Sequence, residues 1–245
     1  MKLQGKVALV TGAAKRVGRT IAMALAQRGA KIAIHYHRSR KDALRLKDEI
    51  ESSYGRDADI FQADLANPRD LKKLADAVLR RFDAIHVLVN SASTYDKAML
   101  GKTDAPEWNE TMNVNLRAPF LLSQSLGLVM KKAGEGKIIN LSDWAGKRPY
   151  VEYIPYCVSK AGLLCLTTAM AKALAPEVQV NAVLPGPVLL PENFTSKQRE
   201  AVKNATLVQR LGSPDDVARA VLFLIEDSDF ITGAELTVDG GRLIA

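Results

Sequence analysis

The chain has 245 residues, of which 47% are hydrophobic and 25% are charged. These values are ordinary for one globular α/β domain with a sizeable core, and they exclude a disordered or fibrous chain. The formal net charge is +7, but no basic run is interleaved with the aromatic residues, which make up 6%. The charge therefore favours small anionic ligands over nucleic acid as partners.

No apolar run reaches the roughly 18 residues that a membrane span needs, and a strand pattern begins too soon after Met1 for a signal peptide. The two cysteines, Cys157 and Cys165, fall in one predicted helix. They would lie about 12 Å apart along its axis, too far for a disulfide. We therefore expect a cytoplasmic protein that contacts no membrane.

Apolar runs alternate with helical patterns along the whole chain. The predicted strands are at 7–10, 31–35, 60–62, 85–89, 138–141, 178–183 and 236–238, and the predicted helices are at 17–27, 40–53, 71–82, 106–132, 155–174 and 214–225. This alternation predicts an α/β fold with a doubly wound parallel sheet. No linker divides the chain, so residues 1–245 are interpreted as a single domain with a substrate loop near 185–200.

The segment TGAAKRVG at 11–18 joins the first strand to the first helix. Gly12 permits a tight turn there, Gly18 lets the helix pack closely on the sheet, and free amides at the helix start face an anion. We predict a dinucleotide site that also includes Lys15, Arg16 and Val17, with an ordinary loop as the alternative.

The end of the second strand distinguishes NADPH from NADH. An NADH-binding chain places an Asp or Glu there, but this chain has HYHRSR at 35–40. A carboxylate would repel the 2′-phosphate of NADPH, whereas His37, Arg38 and Ser39 can donate hydrogen bonds to it. The prediction is NADPH, with a solvated basic turn as the alternative.

Residues that follow the later strands complete the predicted cofactor site. Asp64 could accept a hydrogen bond from the adenine amino group, and Asn90 could hydrogen-bond the backbone beside the cofactor. Both are equally at home as turn residues. The remaining residues assigned to this site are Leu65, Ser91, Ala92, Pro185, Gly186 and Val188.

Tyr156 and Lys160 are four residues apart at the start of a predicted helix, so their side chains share one face. A phenol beside a fixed cation loses its proton more easily, which makes Tyr156 a candidate acid near neutral pH. The alternative is a packing tyrosine followed by a solvated lysine.

Together, several motifs resemble the short-chain dehydrogenase/reductase family over essentially the whole chain. They are TGAAKRVG, Asn90, Asn115 in VNLRAPF, YCVSK at 156–160, LPGPV at 184–188, and ITG with VDGG near the C-terminus. The resemblance implies a Rossmann fold, a nicotinamide that transfers hydride and a Tyr–Lys pair that transfers a proton. It also implies a homotetramer, and an Asn115 that positions water behind Lys160.

Within that family the chain looks most similar to the pteridine reductases. Arg16 gives their TGxxxRxG variant, and HYHRS at 35–39 matches their second strand. Asp143, thirteen residues before Tyr156, stands where other members carry a catalytic serine, and Tyr95 stands where pteridine reductases carry a phenylalanine that stacks the pterin. This similarity implies reduction of a pterin or folate by NADPH.

The resulting hypothesis assigns catalysis to Asp143, Tyr156, Lys160 and Asn115. A pterin would stack between Tyr95 and the nicotinamide, and hydride would reach the carbon of a ring C=N bond. Tyr156 would protonate the adjacent nitrogen, and the Asp143 carboxylate would oppose ionisation of the phenol. The full substrate set is Arg16, Ser93, Tyr95, Asp143, Tyr156, Leu189 and Leu190, and no metal is predicted.

Three alternatives remain at this point. A carbonyl reductase of the same fold, such as a 3-oxoacyl carrier-protein reductase, predicts serine and glycine in place of Asp143 and Arg16. A shift of one residue would put Ser142 beside Tyr156 and restore an ordinary serine site. A cofactor-binding regulator without turnover would be expected to lack Tyr156 or Lys160.

Overall fold

Seven parallel strands form the centre of the molecule in a computed structural model that describes residues 1–190 and 194–245. The strands are β1 (Val7–Val10), β2 (Lys31–Tyr36), β3 (Ala58–Gln62), β4 (Val87–Asn90), β5 (Gly136–Leu141), β6 (Val178–Pro185) and β7 (Glu235–Val238). They pair in the order β3-β2-β1-β4-β5-β6-β7. The strand order reverses between β1 and β4, so the predicted doubly wound sheet is confirmed, and ligands are expected at this switch point.

Helices cover both faces of the sheet. They are α1 (Arg16–Gln27), α2 (Arg40–Tyr54), α3 (Pro68–Phe82), α4 (Ala105–Met112), α5 (Ala118–Ala133), α6 (Ile154–Leu174), α7 (Ser196–Asn204) and α8 (Pro214–Leu222). The hydrophobic core on one face takes buried side chains from α1, α2 and α8. The core on the other face takes them from α3, α5 and α6. This two-sided burial explains why every residue of β1, β4 and β5 is buried and why β1 is apolar throughout.

The predicted helix at 106–132 is interrupted. Residues Asn113–Arg117 form a π-helical turn between α4 and α5. Pro119 lies just inside α5 and has no N–H, so it cannot close the α-helical hydrogen bond to the carbonyl of Asn115. The turn shifts the register at Asn115, the residue of this segment assigned to the candidate site. A second π-helical turn, Phe223–Asp227, ends the predicted helix at 214–225.

The predicted substrate loop at 185–200 is only partly a loop. Pro185 is still in β6, and residues 191–193 lie outside the described residues. Helix α7 then begins at Ser196, because Thr195 and Gln198 form a reciprocal capping box at its N-terminus. Sequence reasoning missed this helix because its polar residues show no apolar periodicity.

The fifth strand begins earlier than predicted. The prediction starts it at residue 138, but Gly136 is the first residue of β5, where its missing Cβ makes room for Met130. Helix α6, with 21 residues, is the one helix among the described residues long and apolar enough to span a membrane, and half of that stretch is buried. Because α6 packs on β6 and α5, we interpret it as a core helix.

Candidate active site

The loop between β1 and α1 packs directly on the loop that follows β4. Gly12 has a φ of +65°, and a Cβ there would lie 2.9 Å from the Ala92 Cα. A Cβ on Gly18 would lie 2.5 Å from the Gly12 carbonyl oxygen. Neither position therefore tolerates a side chain, which fits the roles predicted for both glycines.

Thr11 joins these two loops and was missed by the sequence analysis. Its Oγ1 accepts hydrogen bonds from the amides of Ser91 (2.9 Å) and Ala92 (3.0 Å), and it lies 3.4 Å from the Val89 carbonyl. No sequence pattern around Thr11 indicated that its hydroxyl would bind the loop after β4. The contacts explain how Ser91 and Ala92, both predicted cofactor residues, are held beside Gly12.

His35 is a second buried link that the sequence analysis did not assign. The Gly12 amide donates to its Nδ1 at 3.0 Å, and its Nε2 lies 3.2 Å from the Ala63 carbonyl. These contacts fit a neutral ring with its proton on Nε2. Burial lowers the His35 pKa to about 4, so the ring stays neutral near pH 7. His35 thereby ties the glycine loop to the end of β3.

The helix start at Arg16 is open to an anion. Arg16 has a φ of +55°, a conformation that most side chains avoid, and the side chain of Lys15 does not cap the helix. The first amides of α1 therefore keep free donors at the positive end of the helix dipole. Lys15 itself pairs with Asp42 at 3.0 Å, and Arg16 reaches the Leu189 carbonyl at 3.5 Å.

The predicted 2′-phosphate residues lie together beyond β2. His37 and Arg38 are exposed, and Ser39 is the N-cap residue of α2 without a side-chain cap of its own. The side-chain Nε2 of Gln62 donates to the His37 carbonyl at 3.0 Å, an anchor that the sequence analysis did not include. These donors and cations fit a phosphate group.

A cavity of about 340 Å³ adjoins this region. It is lined by His37, Gln62, Ala63, Asp64, Asp70 and Lys73. Asp64 binds the Ala66 amide with one oxygen at 2.9 Å, so it closes its own turn. Leu65 is buried under that turn. The position of the cavity, beyond the ends of β2 and β3, fits the adenine end of a dinucleotide.

Three of the four catalytic residues predicted from sequence, Asp143, Tyr156 and Lys160, meet just beyond the end of β5. The Tyr156 hydroxyl donates to Asp143 Oδ2 at 2.8 Å, and the Ala145 amide donates to Asp143 Oδ1 at 2.7 Å. Lys160 Nζ donates to the Leu141 carbonyl at 2.8 Å and lies 5.6 Å from the centre of the Tyr156 ring. Both Tyr156 and Lys160 are buried, so the reading of a solvated lysine is wrong.

Burial and Asp143 together set the protonation of this group. Burial raises the pKa of Tyr156 well above 10, and the neighbouring carboxylate raises it further. Burial also raises the pKa of Asp143, although the hydrogen bonds from Ala145 and Tyr156 oppose the shift. The pKa of Lys160 falls to about 8, again through burial. The expectation that the cation would ease the loss of the Tyr156 proton is therefore reversed.

The alternative in which a one-residue shift puts Ser142 beside Tyr156 is wrong. The Ser142 hydroxyl donates to the Lys160 carbonyl at 2.9 Å, deep in the structure, whereas Asp143 contacts the phenol. The group beside Tyr156 is therefore a carboxyl group, as predicted.

Asn90 does not bind backbone as predicted. Its Nδ2 donates to Asn140 Oδ1 (2.8 Å), its neighbour across β4 and β5, and to Ser123 Oγ (3.2 Å). Asn140 in turn donates to Thr167 at 2.9 Å. The prediction failed because a strand-end asparagine gives no hint of polar partners in the sheet. Asn90 Oδ1 is buried without a hydrogen-bond partner among the described residues.

Asn115 holds the loop after β4 instead of contacting Lys160. Its Oδ1 accepts from the Thr94 amide (2.9 Å) and Ser93 Oγ (3.2 Å), and its Nδ2 donates to the Thr94 carbonyl (3.0 Å) and Ser159 Oγ (3.1 Å). The π-helical turn brings Asn115 to this position. Its predicted role in holding water behind Lys160 remains a prediction.

Four aromatic rings form a wall beside Tyr156. Tyr95, about half exposed, stacks on Tyr153 with ring centroids 4.4 Å apart and an interplanar angle of 7°. It also meets Tyr156 nearly edge-on at 4.7 Å. Tyr150 contacts Tyr153 at 6.1 Å and Trp144 at 5.2 Å. Tyr95 thus lies at the site, but Tyr150, Tyr153 and Trp144 were not predicted.

The residues after β6 border the same site. Gly186 approaches Asp239 so closely that a Cβ would lie 2.5 Å from the Asp239 Cβ. Val188 packs over Gly212, and Leu189 is more than one-third exposed. Leu190, the last described residue before the gap, is partly buried. These positions fit the predicted loop over the site, and their ligand contacts stay predictions.

Known proteins are similar to this chain over nearly its whole length. A family model described as Enoyl-(Acyl carrier protein) reductase matches residues 12–242. Two relatives are 3-oxoacyl-[acyl-carrier-protein] reductases: that of Aquifex aeolicus is 36% identical over 250 residues, with 98% of each chain covered, and that of Thermotoga maritima is 34% identical over 248 residues, with 100% of each covered.

A solved structure, a blue fluorescent protein from a metagenomic library in complex with NADPH, superposes with a TM-score of 0.91 at 32% identity, and 99% of each chain is covered. The two relatives are named for a carbonyl substrate, so the comparisons do not support the more specific resemblance to pteridine reductases. What they share with this chain is the whole fold. The chain therefore belongs to the short-chain dehydrogenase/reductase family of NAD(P)H-dependent oxidoreductases.

Proposed function

We propose that this protein uses NADPH to reduce a ring C=N bond of a pterin or dihydrofolate-type substrate. The observation that carries the proposal is the contact between the Tyr156 hydroxyl and the Asp143 carboxylate, 2.8 Å long. A carboxylate accepts hydrogen bonds and does not donate them, so it cannot help the phenol hold a ketone oxygen. It can keep the phenol protonated until a basic ring nitrogen arrives.

NADPH is the cofactor that the donor set supports. The free amides of α1, with Gly12 beneath them, would bind the pyrophosphate, and His37, Arg38 and Ser39 would bind the 2′-phosphate. The structural relative that was determined with NADPH supports the same choice. When bound, NADPH supplies a hydride to the substrate carbon.

Tyr156 supplies the matching proton. At neutral pH the phenol is fully protonated, because burial and Asp143 raise its pKa. Its O–H bond breaks as the substrate nitrogen takes the proton, which completes the addition of one hydride and one proton across the C=N bond. The phenolate left behind is stabilised by the Lys160 ammonium, so the reaction favours a protonated lysine.

Asp143 is suited to restoring that proton. Its Oδ1 is fixed by the Ala145 amide, which aims Oδ2 at the phenol. Burial raises its pKa, so a proton can reside on the carboxyl group during part of the cycle. The aromatic ring of Tyr95 would support the planar substrate, and Ser93 and Arg16 would contact it from the neighbouring loops.

A second candidate is reduction of a 3-oxoacyl thioester, and the names of the two relatives favour it. On sequence similarity alone, this candidate is better supported than pterin reduction. In that reaction Tyr156 would donate to the ketone oxygen, and only a protonated Asp143 could act as the second donor. Its raised pKa makes this chemically feasible toward lower pH.

A substrate panel distinguishes the two candidates. NADPH oxidation is followed with dihydrobiopterin, dihydrofolate and an acetoacetyl thioester in parallel, at pH 6 and pH 8. We expect turnover of at least one pterin, with no more than about a twofold fall from pH 6 to pH 8, where the Lys160 ammonium begins to lose its proton. Turnover of the thioester alone, stronger at pH 6, would overturn the pterin proposal and support the second candidate.

We also expect a homo-oligomer, a homotetramer if the family resemblance holds. Large apolar side chains are exposed on the outer faces of two of the helices that cover one side of the sheet: Phe120, Leu128 and Val129 of α5 and Val158 of α6. Sedimentation equilibrium of the full chain measures this state directly, and a monomer at micromolar concentration would contradict the expectation.

A further inference from the structure

The aromatic wall beside Tyr156 ends at a cation that neither the sequence analysis nor the proposed mechanism uses. Trp144 contacts Tyr150 edge-to-face, and the guanidinium carbon of Arg242 lies 5.2 Å from the centre of the Trp144 ring. The charges of both Asp143 and Arg242 act on Tyr150: Asp143 raises the Tyr150 pKa, and Arg242 lowers it. Arg242 therefore lies at the rim of the candidate site.

Arg242 has no acidic partner within the described residues. Asp239, three residues earlier, uses its two oxygens to bind the amides of Gly241 at 2.8 Å and Leu243 at 2.6 Å. Glu235 on β7 is paired with Lys147 at 2.6 Å. The charge of Arg242 is thus not cancelled by the carboxylates closest to it along the chain.

One contact positions the backbone of Arg242, and another positions its guanidinium. Arg148 donates to the backbone carbonyls of Ala245 (2.8 Å) and Arg242 (3.5 Å), which fixes the C-terminal segment against the loop after β5. The ring of Trp144 supports the guanidinium by a cation–π contact. A cation–π contact does not use the N–H donors of the guanidinium, so they remain able to bind a carboxylate with two hydrogen bonds.

We propose that Arg242 determines substrate specificity by binding an anionic group remote from the reacting bond, and that this group is a tail carboxylate of a dihydrofolate-type substrate. This inference rests on the proposed function for the identity of the tail. A phosphate on an acyl thioester would offer the same oxyanion chemistry. The net charge of +7 agrees with a preference for anionic substrates.

The test compares substrates that differ in this group. With saturating NADPH, Arg242→Gln should raise the KM for dihydrofolate about tenfold and leave kcat within about twofold. The reason is that the lost contact stabilises the bound substrate and the transition state equally. The KM for dihydrobiopterin, whose side chain carries no charge, should not change. Arg242→Lys keeps the charge but loses the forked geometry, so its KM for dihydrofolate should lie between that of the unaltered protein and that of Arg242→Gln.

Lys147→Gln is the matched control. It removes the same charge from a residue near Arg242 in the fold, but Lys147 is already neutralised by Glu235. Its KM values should therefore equal those of the unaltered protein. A rise in the dihydrofolate KM equal to that of Arg242→Gln would mean general attraction of anions instead of a binding residue, and would overturn the proposal.

The outcomes for Arg242 and for the proposed function are separable. If neither pterin is reduced, the same variants are measured with acetoacetyl-coenzyme A and with a neutral acetoacetyl thioester. Whichever pair of substrates the protein reduces, a KM increase confined to the charged substrate of that pair supports the role of Arg242. Equal changes in both members, no change in either, or turnover of neither pair overturns it.

Discussion

The floor of the candidate site and its 2′-phosphate end are built in opposite ways. On the floor, the Asp143, Tyr156 and Lys160 side chains each have a fixed hydrogen-bond partner, and the last two are almost inaccessible to water. At the other end, the His37 and Arg38 side chains are exposed. Buried groups take their protonation from the protein, whereas exposed cations gain their strongest contacts only when an anion is present.

The contrast tells which property each region controls. Substitutions on the floor should change the rate of the chemical step, because they alter the proton donor and the charges around it. Substitutions at the 2′-phosphate end should change cofactor affinity and leave the proton donor intact. The predictions below test this division.

Tyr156→Phe should produce the largest effect. The ring packing survives, but the proton donor is lost, so kcat should fall by a factor of about 10²–10⁴. Steady-state NADPH oxidation on the substrate identified by the panel measures the loss. The NADPH dissociation constant, measured by fluorescence titration, should change less than about twofold, and a variant that keeps a tenth of the activity would contradict the role of Tyr156.

Asp143→Ser should separate the two candidate reactions. A hydroxyl can both donate and accept, so the variant should lose pterin turnover by about 100-fold while activity on the acetoacetyl thioester is kept or raised. The ratio of the two kcat/KM values is the measurement. An unchanged ratio would show that the carboxylate does not determine the substrate.

Arg38→Gln should affect only the phosphorylated cofactor. Losing one charge-assisted contact to the 2′-phosphate should raise the KM for NADPH about tenfold, with kcat nearly unchanged. The KM for NADH, which lacks that phosphate, is the internal control. An equal rise for both cofactors would point to a distorted loop instead of a lost phosphate contact.

The pH profile should be limited on the alkaline side by Lys160. Its pKa is lowered from 10.5 to about 8 by burial, so the ammonium is present below about pH 8 and kcat should fall as the pH rises past that value. Asp143 opposes this shift by raising the Lys160 pKa. In Asp143→Asn, therefore, the alkaline limb should move to lower pH, and a limb that stays in place would contradict the assignment.

The sequence predicted the sheet and the residues of the floor because both follow from local patterns. Apolar runs between helical patterns identify parallel strands, and the i, i+4 spacing of Tyr156 and Lys160 requires only one helix. The pKa direction of Tyr156 was not predictable from the neighbouring cation alone. It depends on how deeply the phenol is buried and on the distance to Asp143, and both are set by tertiary packing.

Other features were missed because their partners are distant in sequence. Thr11, His35 and Trp144 act through contacts with residues on other strands or loops, and nothing near them in the chain marks those contacts. Asn90 was recognised but was given the wrong partner for the same reason. A local pattern identifies residue types suited to a site, whereas the network that orients them becomes visible only in the fold.

His35→Gln should leave turnover nearly unchanged and act on stability instead. The unfolded imidazole titrates near 6.5 and the folded one near 4, so between these values the unfolded state binds more protons and the protein loses stability as the pH falls. The full shift corresponds to about 3 kcal/mol. Urea unfolding of the unaltered protein should therefore show a free energy that declines from pH 6.5 to pH 4 more steeply than that of the variant.

His37→Gln is the matched control for this last test, since it removes another imidazole two residues away whose side chain is exposed. It should retain the steep decline of the unaltered protein. If both variants keep the same slope, the Gly12 amide and the Ala63 carbonyl do not hold a neutral imidazole between them. The glycine loop would then owe its position to Thr11, to the Ala92 contact and to the backbone hydrogen bond from Ala13 to the His35 carbonyl, with no contribution from the imidazole ring.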